Sequence, residues 1–84
     1  MVPNLRDPSF LGALVRFERV AGALSFTKAA AELGVTASAV SHRIVQLEAA
    51  LGKRLFERSP RMVALTPEGL ELQEAVGKAM GVLR

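Results

Sequence analysis

Apolar residues recur at helical spacing in four separate stretches of this chain, and residues that start or stop a helix bound each stretch. In the first, Phe10, Leu11, Leu14, Phe17 and Val20 or Ala21 form one stripe. Pro8 and Ser9 are placed to begin that helix, and the run from Gly22 to Ser25 to end it. Ser25 then suits the N-cap of a second helix, whose buried side is Ala29, Ala30 and Leu33. Gly34 suits its left-handed stop, because no Cβ opposes that conformation. Val35 is expected to enter the core and Thr36 to cap a third helix. Val40, Ile44, Leu47 and Leu51 hold one face of the third helix, which ends at Gly52. Ala37, Ser38, Ser41, His42 and Val45 fall on the other side.

The pattern then changes. Leu55 and Phe56 predict a short strand and Val63 to Leu65 its partner, with Arg58, Ser59, Pro60 and Arg61 between them as a hairpin tip. Thr66 and Pro67 restart a helix with a cap and a proline in its first turn. Along that last helix Leu72, Val76, Ala79 and Leu83 recur at near-heptad spacing, with Ala75 and Met80 beside them. Gly69, Gly77 and Gly81 each cost this helix about 1 kcal/mol relative to alanine, so packing against a partner is expected to offset them. The four phenylalanines, Phe10, Phe17, Phe26 and Phe56, are all spaced for a core.

Size and composition narrow the function classes. At 84 residues, half of them hydrophobic, the chain can form one small packed domain. It has no cysteine and one histidine, which excludes a disulfide framework and a clustered zinc site. No apolar run approaches the roughly 20 residues of a membrane span, and the N-terminus lacks a signal-peptide core, so an intracellular, cytoplasmic chain is expected. The net charge is only +3, but its distribution is uneven. Lys28, Arg43, Lys53, Arg54, Arg58 and Arg61 face only Glu32, Glu48 and Glu57 over the same interval, a balance suited to a polyanion.

Two helices hinged at Gly34, the second with Thr36, Ser38, Ser41 and His42 opposite a clean apolar stripe, have the form of a helix-turn-helix. Such a unit lays its second helix in the DNA major groove. Arg58 and Arg61 flank a turn too short to bury them, so both are expected to project outward, where arginine can enter a narrow minor groove. His42, away from the apolar stripe, is a candidate DNA contact. No acid/base pair, nucleophile triad, phosphate loop or metal cluster is visible, so no enzymatic activity and no cofactor are expected.

From about Leu11 to Leu72 the chain resembles the N-terminal domain of LysR-type transcriptional regulators. The blocks LSFTKAAAELGVTASAVSHRI, LEAALGKRLFER and LTPEG carry the resemblance. It implies a mainly α winged helix-turn-helix, with a three-helix core and a two-stranded wing over residues 1–65, then a linker helix over 66–84 that dimerises. An effector-binding domain, which full-length members carry further on, is absent from these 84 residues.

Transferred by position, the family's helix-start glutamine and proline are Ala37 and Ser38 here, and its serine is kept at Ser41. Its following arginine is His42, with Arg43 next. Thr27 and Lys28 match positions near the DNA backbone and Arg58 and Arg61 wing positions, and Ser25, Thr36 and Val45 complete the expected DNA-binding set. Leu72, Val76, Ala79, Met80 and Leu83 would form the dimer seam. The implied partners are promoter or operator duplex DNA and a second copy of the chain, with a tetramer possible in a full-length protein and no membrane. A winged helix used for protein contacts, or a dimerisation module with no ligand, are the rival readings. An interaction surface would show an aromatic or methionine-rich patch where this chain has a polar, basic face.

Overall fold

The computed structural model describes residues 8–83, and within that range the side chains of Met80, Val82 and Leu83 are outside the description. Four helices and one hairpin follow in the order α1 (Pro8–Ala23), α2 (Phe26–Leu33), α3 (Ala37–Leu51), β1 (Phe56–Ser59), β2 (Met62–Leu65) and α4 (Pro67–Leu83). This is the mainly helical winged helix-turn-helix that the pattern predicts.

The helix boundaries obey local chemistry. Ser25 is extended and its Oγ accepts from the Lys28 amide at 3.1 Å; Thr36 does the same for the Ala39 amide at 3.1 Å. Gly34 and Gly52 close α2 and α3 in the left-handed conformation at φ 71° and 67°. The end of α1 falls within the expected run from Gly22 to Ser25. The stop falls at Leu24, a leucine held at φ 49°, rather than at Gly22, which remains helical.

Helices α1, α2 and α3 pack pairwise, and their shared core is Phe17, Val20, Ala21, Ala29, Ala30, Val40, Ile44 and Leu47, joined by Leu55 and Phe56 from the approach to the wing. Ala29 and Ala30 are small enough to bring α2 close to its neighbours. Phe56 anchors the wing to this core: its ring lies 5.4 Å from Phe17 and 5.7 Å from Phe26, tilted and edge-on. Each such pair contributes about 1 kcal/mol beyond simple burial. Phe10 and Phe26 are only partly buried. Two residues expected inside are not: Leu11 is half exposed and Val35 lies at the surface. Val35 follows a left-handed glycine, and its amide bonds back to the Ala30 carbonyl at 3.0 Å, closing α2 while leaving the side chain outside.

Strands β1 and β2 pair antiparallel, with Phe56 opposite Leu65 and Ser59 opposite Met62, so that Pro60 and Arg61 alone make the tip. Leu55 precedes the strand and Arg58 lies inside it: β1 starts one residue after Leu55 and β2 one residue before Val63, so the expected four-residue tip is two residues long. Thr66 ties the wing to α4. Its hydroxyl donates to the Arg54 carbonyl at 2.6 Å and accepts from the Gly69 amide at 2.9 Å. Helix α4 packs on α1 and β2, with Val76 buried and Leu72 against the core.

Gly69 has a reason that lies within the chain. A Cβ there would collide with the Leu55 backbone carbonyl, so glycine is what lets α4 leave the wing at this angle. Gly77 and Gly81 have open space where a Cβ would stand.

Candidate nucleic-acid interface

Helix α3 divides cleanly because its apolar residues repeat at helical spacing. Val40, Ile44 and Leu47 are buried, while Ser38, His42 and Val45 are exposed on the opposite face, Val45 at 50%. Gln46 shares that face and its side-chain nitrogen stands 3.3 Å from the His42 Nε2. Its place four residues after His42 was the signal that could have marked it. Arg43 is exposed but lies about 140° around the helix from Ser38, on the flank rather than the crest. Ala37 departs from the expected division: it is half-buried and packs against the core.

The edge of the face toward the wing is built differently. Ser41 is half-buried, and its Oγ accepts from the Arg58 Nη1 at 3.0 Å. Arg58 does not project outward. Its side chain is only 27% exposed, its guanidinium sits 4.5 Å from the Phe26 ring centroid, and its Nη2 reaches the Glu48 Oε1 at 3.5 Å. Two residues before the tip, it has α2 and α3 beside it and is held between them.

Glu48 is the residue sequence reasoning missed. Its side chain is 9% exposed, and its Oε2 accepts from the amides of Leu55 at 2.8 Å and Phe56 at 3.3 Å. Arg54 adds a longer ion pair from Nε at 3.7 Å. A carboxylate four residues after Ile44, on the buried side of α3, was the visible signal. A charge in that place needs partners, and here they are the first amides of the wing.

Around this edge runs an open groove of about 550 Å³, lined by Val45, Glu48, Ala49, Lys53, Arg54 and Arg58. Lys53 and Arg54 are exposed and add positive charge next to α3. A second groove of about 290 Å³ gathers Ser25 and Thr27 from the start of α2 with Arg61 and Met62 from the wing. Tertiary structure therefore brings Ser25, Thr27 and Arg61 to one place although they are far apart in sequence. Lys28 is exposed on the same first turn of α2, and Thr36 is exposed at the start of α3. Among the described residues no phenylalanine is exposed, and the reading face carries no aromatic patch.

The expected dimer seam is split. Val76 is 8% exposed and Leu72 partly buried within the single chain, whereas Ala75 and Ala79 face outward. The Met80 and Leu83 side chains lie outside the described residues. Among the described residues no group of metal-binding side chains occurs and no helix is long and apolar enough to cross a membrane.

Comparison with known proteins places this geometry. The family described as "Bacterial regulatory helix-turn-helix protein, lysR family" matches residues 11–70. The chain is 55% identical over 62 residues to the HTH-type transcriptional activator AmpR of Pseudomonas aeruginosa, covering 74% of this chain and 21% of that protein. It is 47% identical over 73 residues to a carbapenem-hydrolyzing beta-lactamase transcriptional activator of Serratia marcescens, covering 87% of this chain and 25% of the relative. The chain thus spans about a quarter of the length of the curated relatives it matches.

Among solved structures, the BenM DNA-binding domain in complex with catB site 1 DNA superposes with a TM-score of 0.82 at 37% identity, covering 87% of this chain and 81% of that one. The CbnR DNA-binding domain in complex with DNA gives 0.79 at 32% identity, covering 86% and 83%. The chain belongs to the lysR family of bacterial regulatory helix-turn-helix proteins, and it is the winged helix-turn-helix DNA-binding domain of that family.

Proposed function

We propose that this chain recognises operator DNA for a bacterial transcriptional regulator, by groove binding without chemistry or cofactor. Helix α3 lies in the major groove, where Ser38, Ser41, His42 and Val45 meet base edges and the Val45 methyls suit a thymine methyl. Ala37 allows the helix start to approach closely. Ser25, Thr27, Lys28, Thr36 and Arg43 set register on phosphates, and Arg61 at the wing tip enters the flanking minor groove. Two copies pair through α4 and present two recognition helices to an interrupted, A/T-rich palindrome in a promoter. The longer protein works in the cytoplasm on the nucleoid, as a dimer or a tetramer.

The observation that carries this reading is the two-faced α3, with Val40, Ile44 and Leu47 buried and Ser38, His42 and Val45 presented to solvent. The DNA complexes of the similar BenM and CbnR domains support it.

Selection from a random duplex pool, followed by gel shifts across a salt titration, is the test. The expected result is a shared motif with two related half-sites, and log affinity falling by roughly 0.9 per neutralised phosphate for each unit of log salt. A pool without a shared motif and an affinity indifferent to salt would overturn it.

A further inference from the structure

Arg58 is a wing residue packed behind the recognition face, against Phe26, Ser41 and Glu48. We propose that it is a positioning residue for Ser41. By donating into the Ser41 oxygen it makes that hydroxyl a hydrogen-bond donor toward an acceptor on DNA. The proposal rests on α3 being the DNA-reading helix.

The geometry is a fork with both prongs in use. Nη1 bonds Ser41 Oγ at 3.0 Å and Nη2 meets Glu48 Oε1 at 3.5 Å, while the guanidinium plane lies over Phe26. Glu48 is in turn fixed by the amides of Leu55 and Phe56. The fork therefore cannot swing toward DNA without giving up three contacts on two helices, α2 and α3. Lysine could not reproduce it, because an ammonium lacks the planar pair of donors.

The consequence for Ser41 follows from the inventory of a hydroxyl. It has one hydrogen and two lone pairs, and arginine has no acceptor. With one lone pair occupied by Nη1, the hydroxyl hydrogen must point elsewhere, and among the described residues Ser41 Oγ has no second partner. Its hydrogen is free for a phosphate oxygen, or for guanine O6 or N7, adenine N7 or thymine O4. Without Arg58 the hydroxyl could rotate and offer both lone pairs to cytosine or adenine amino groups, whereas with Arg58 in place one lone pair is taken and the hydrogen is directed away from the guanidinium. Arg58 thereby narrows what Ser41 can read.

The test uses the full chain and duplexes that the wild type selects from a random pool. Affinity and selection profiles are measured for Ser41→Ala, Arg58→Lys, Arg58→Gln and the Ser41→Ala/Arg58→Lys pair. Each single variant is expected to bind about 2- to 12-fold more weakly, the range of one hydrogen bond. The pair is expected to be no weaker than the poorer single.

The salt slope should stay at the wild-type value for both Arg58 variants, since no phosphate contact is lost. If Ser41 donates to a base, Ser41→Ala and Arg58→Lys lose preference at the same base pair. If it donates to a phosphate, both weaken every duplex equally. Phe26→Leu removes the ring beneath the guanidinium, leaves Ser41 intact, and should reproduce the Arg58→Lys profile if that variant proves too unstable to assay.

Additive losses in the pair would overturn the proposal. So would wild-type binding by Arg58→Lys, or a slope reduced by about 0.9 in Arg58→Gln, which marks a direct phosphate contact. A wild type that selects no duplex overturns the operator-binding reading as well, whereas selection with an additive pair overturns only the role of Arg58.

Discussion

The Glu48 carboxylate on α3 accepts a hydrogen bond from the Leu55 amide at 2.8 Å, and so holds the start of the wing against the recognition helix. The same oxygen takes the Phe56 amide, which makes Glu48 the cap of two donors at the start of the wing, one just before β1 and one at its first residue. Removing the side chain would strand both. Glu48→Ala is expected to lower unfolding free energy by about 3 kcal/mol, and Glu48→Gln by less, because an amide oxygen still accepts. Urea unfolding followed by circular dichroism measures both, and an unchanged midpoint for Glu48→Ala would contradict the role.

Gly69 and Gly77 sit on one helix but should respond oppositely to alanine. At Gly69 the added methyl meets the Leu55 carbonyl, whereas at Gly77 it meets open space. Gly77→Ala is expected to stabilise the chain by up to about 1 kcal/mol through helix propensity. Gly69→Ala should destabilise it by more than that gain, since the neighbour is backbone and cannot step aside. Equal midpoints for the two variants would refute the distinction.

Leu24 closes α1 in the left-handed region at φ 49° and is 47% exposed. The conformation costs a leucine about 1 kcal/mol, and little burial is lost by trimming it. Leu24→Gly is therefore expected to raise the unfolding free energy by about 0.5 to 1 kcal/mol, part of the relief being offset by the freer unfolded chain. A thermal melt below wild type would show that the leucine contacts outweigh the strain.

Arg61 and Lys28 should fail differently when removed. Arg61 is exposed at the wing tip beside Ser25 and Thr27, and Lys28 is exposed on the first turn of α2. Arg61→Ala is expected to weaken binding severalfold and flatten the preference for A/T-rich flanks, because a groove arginine senses width. Lys28→Ala should weaken all duplexes alike and reduce the salt slope by about 0.9. Matching selection profiles for the two variants would overturn the assignment.

Pairing through α4 needs a probe on its outward side. A charge at Val76, which is 8% exposed, attacks the chain's own fold, and Val76→Asp is expected to cost about 3 kcal/mol of stability. Ala79 faces outward, so Ala79→Glu should yield monomers in sedimentation velocity while leaving the urea midpoint in place. A wild type that sediments as a monomer at high micromolar concentration argues against this pairing.

Much of this molecule is legible from short-range chemistry. Ser25, Thr36 and Thr66 cap helices with oxygens three residues from the amides they serve, and Gly34 and Gly52 end helices through their own backbone freedom. The two faces of α3 follow from spacing alone. Such features depend on neighbours within a turn or two, and the order of residues already places those neighbours together.

Other features depend on groups that meet only once the elements pack. Arg58 reads as an exposed wing arginine, yet it is drawn inward because Phe26, Ser41 and Glu48 arrive beside it from α2 and α3. Gly69 reads as a weakness of α4 until the Leu55 carbonyl stands against it. Ser25, Thr27 and Arg61 share a groove that no local pattern announces. In each case the deciding partner is distant in the chain, and only close packing of three helices and a hairpin brings it into van der Waals or hydrogen-bond range.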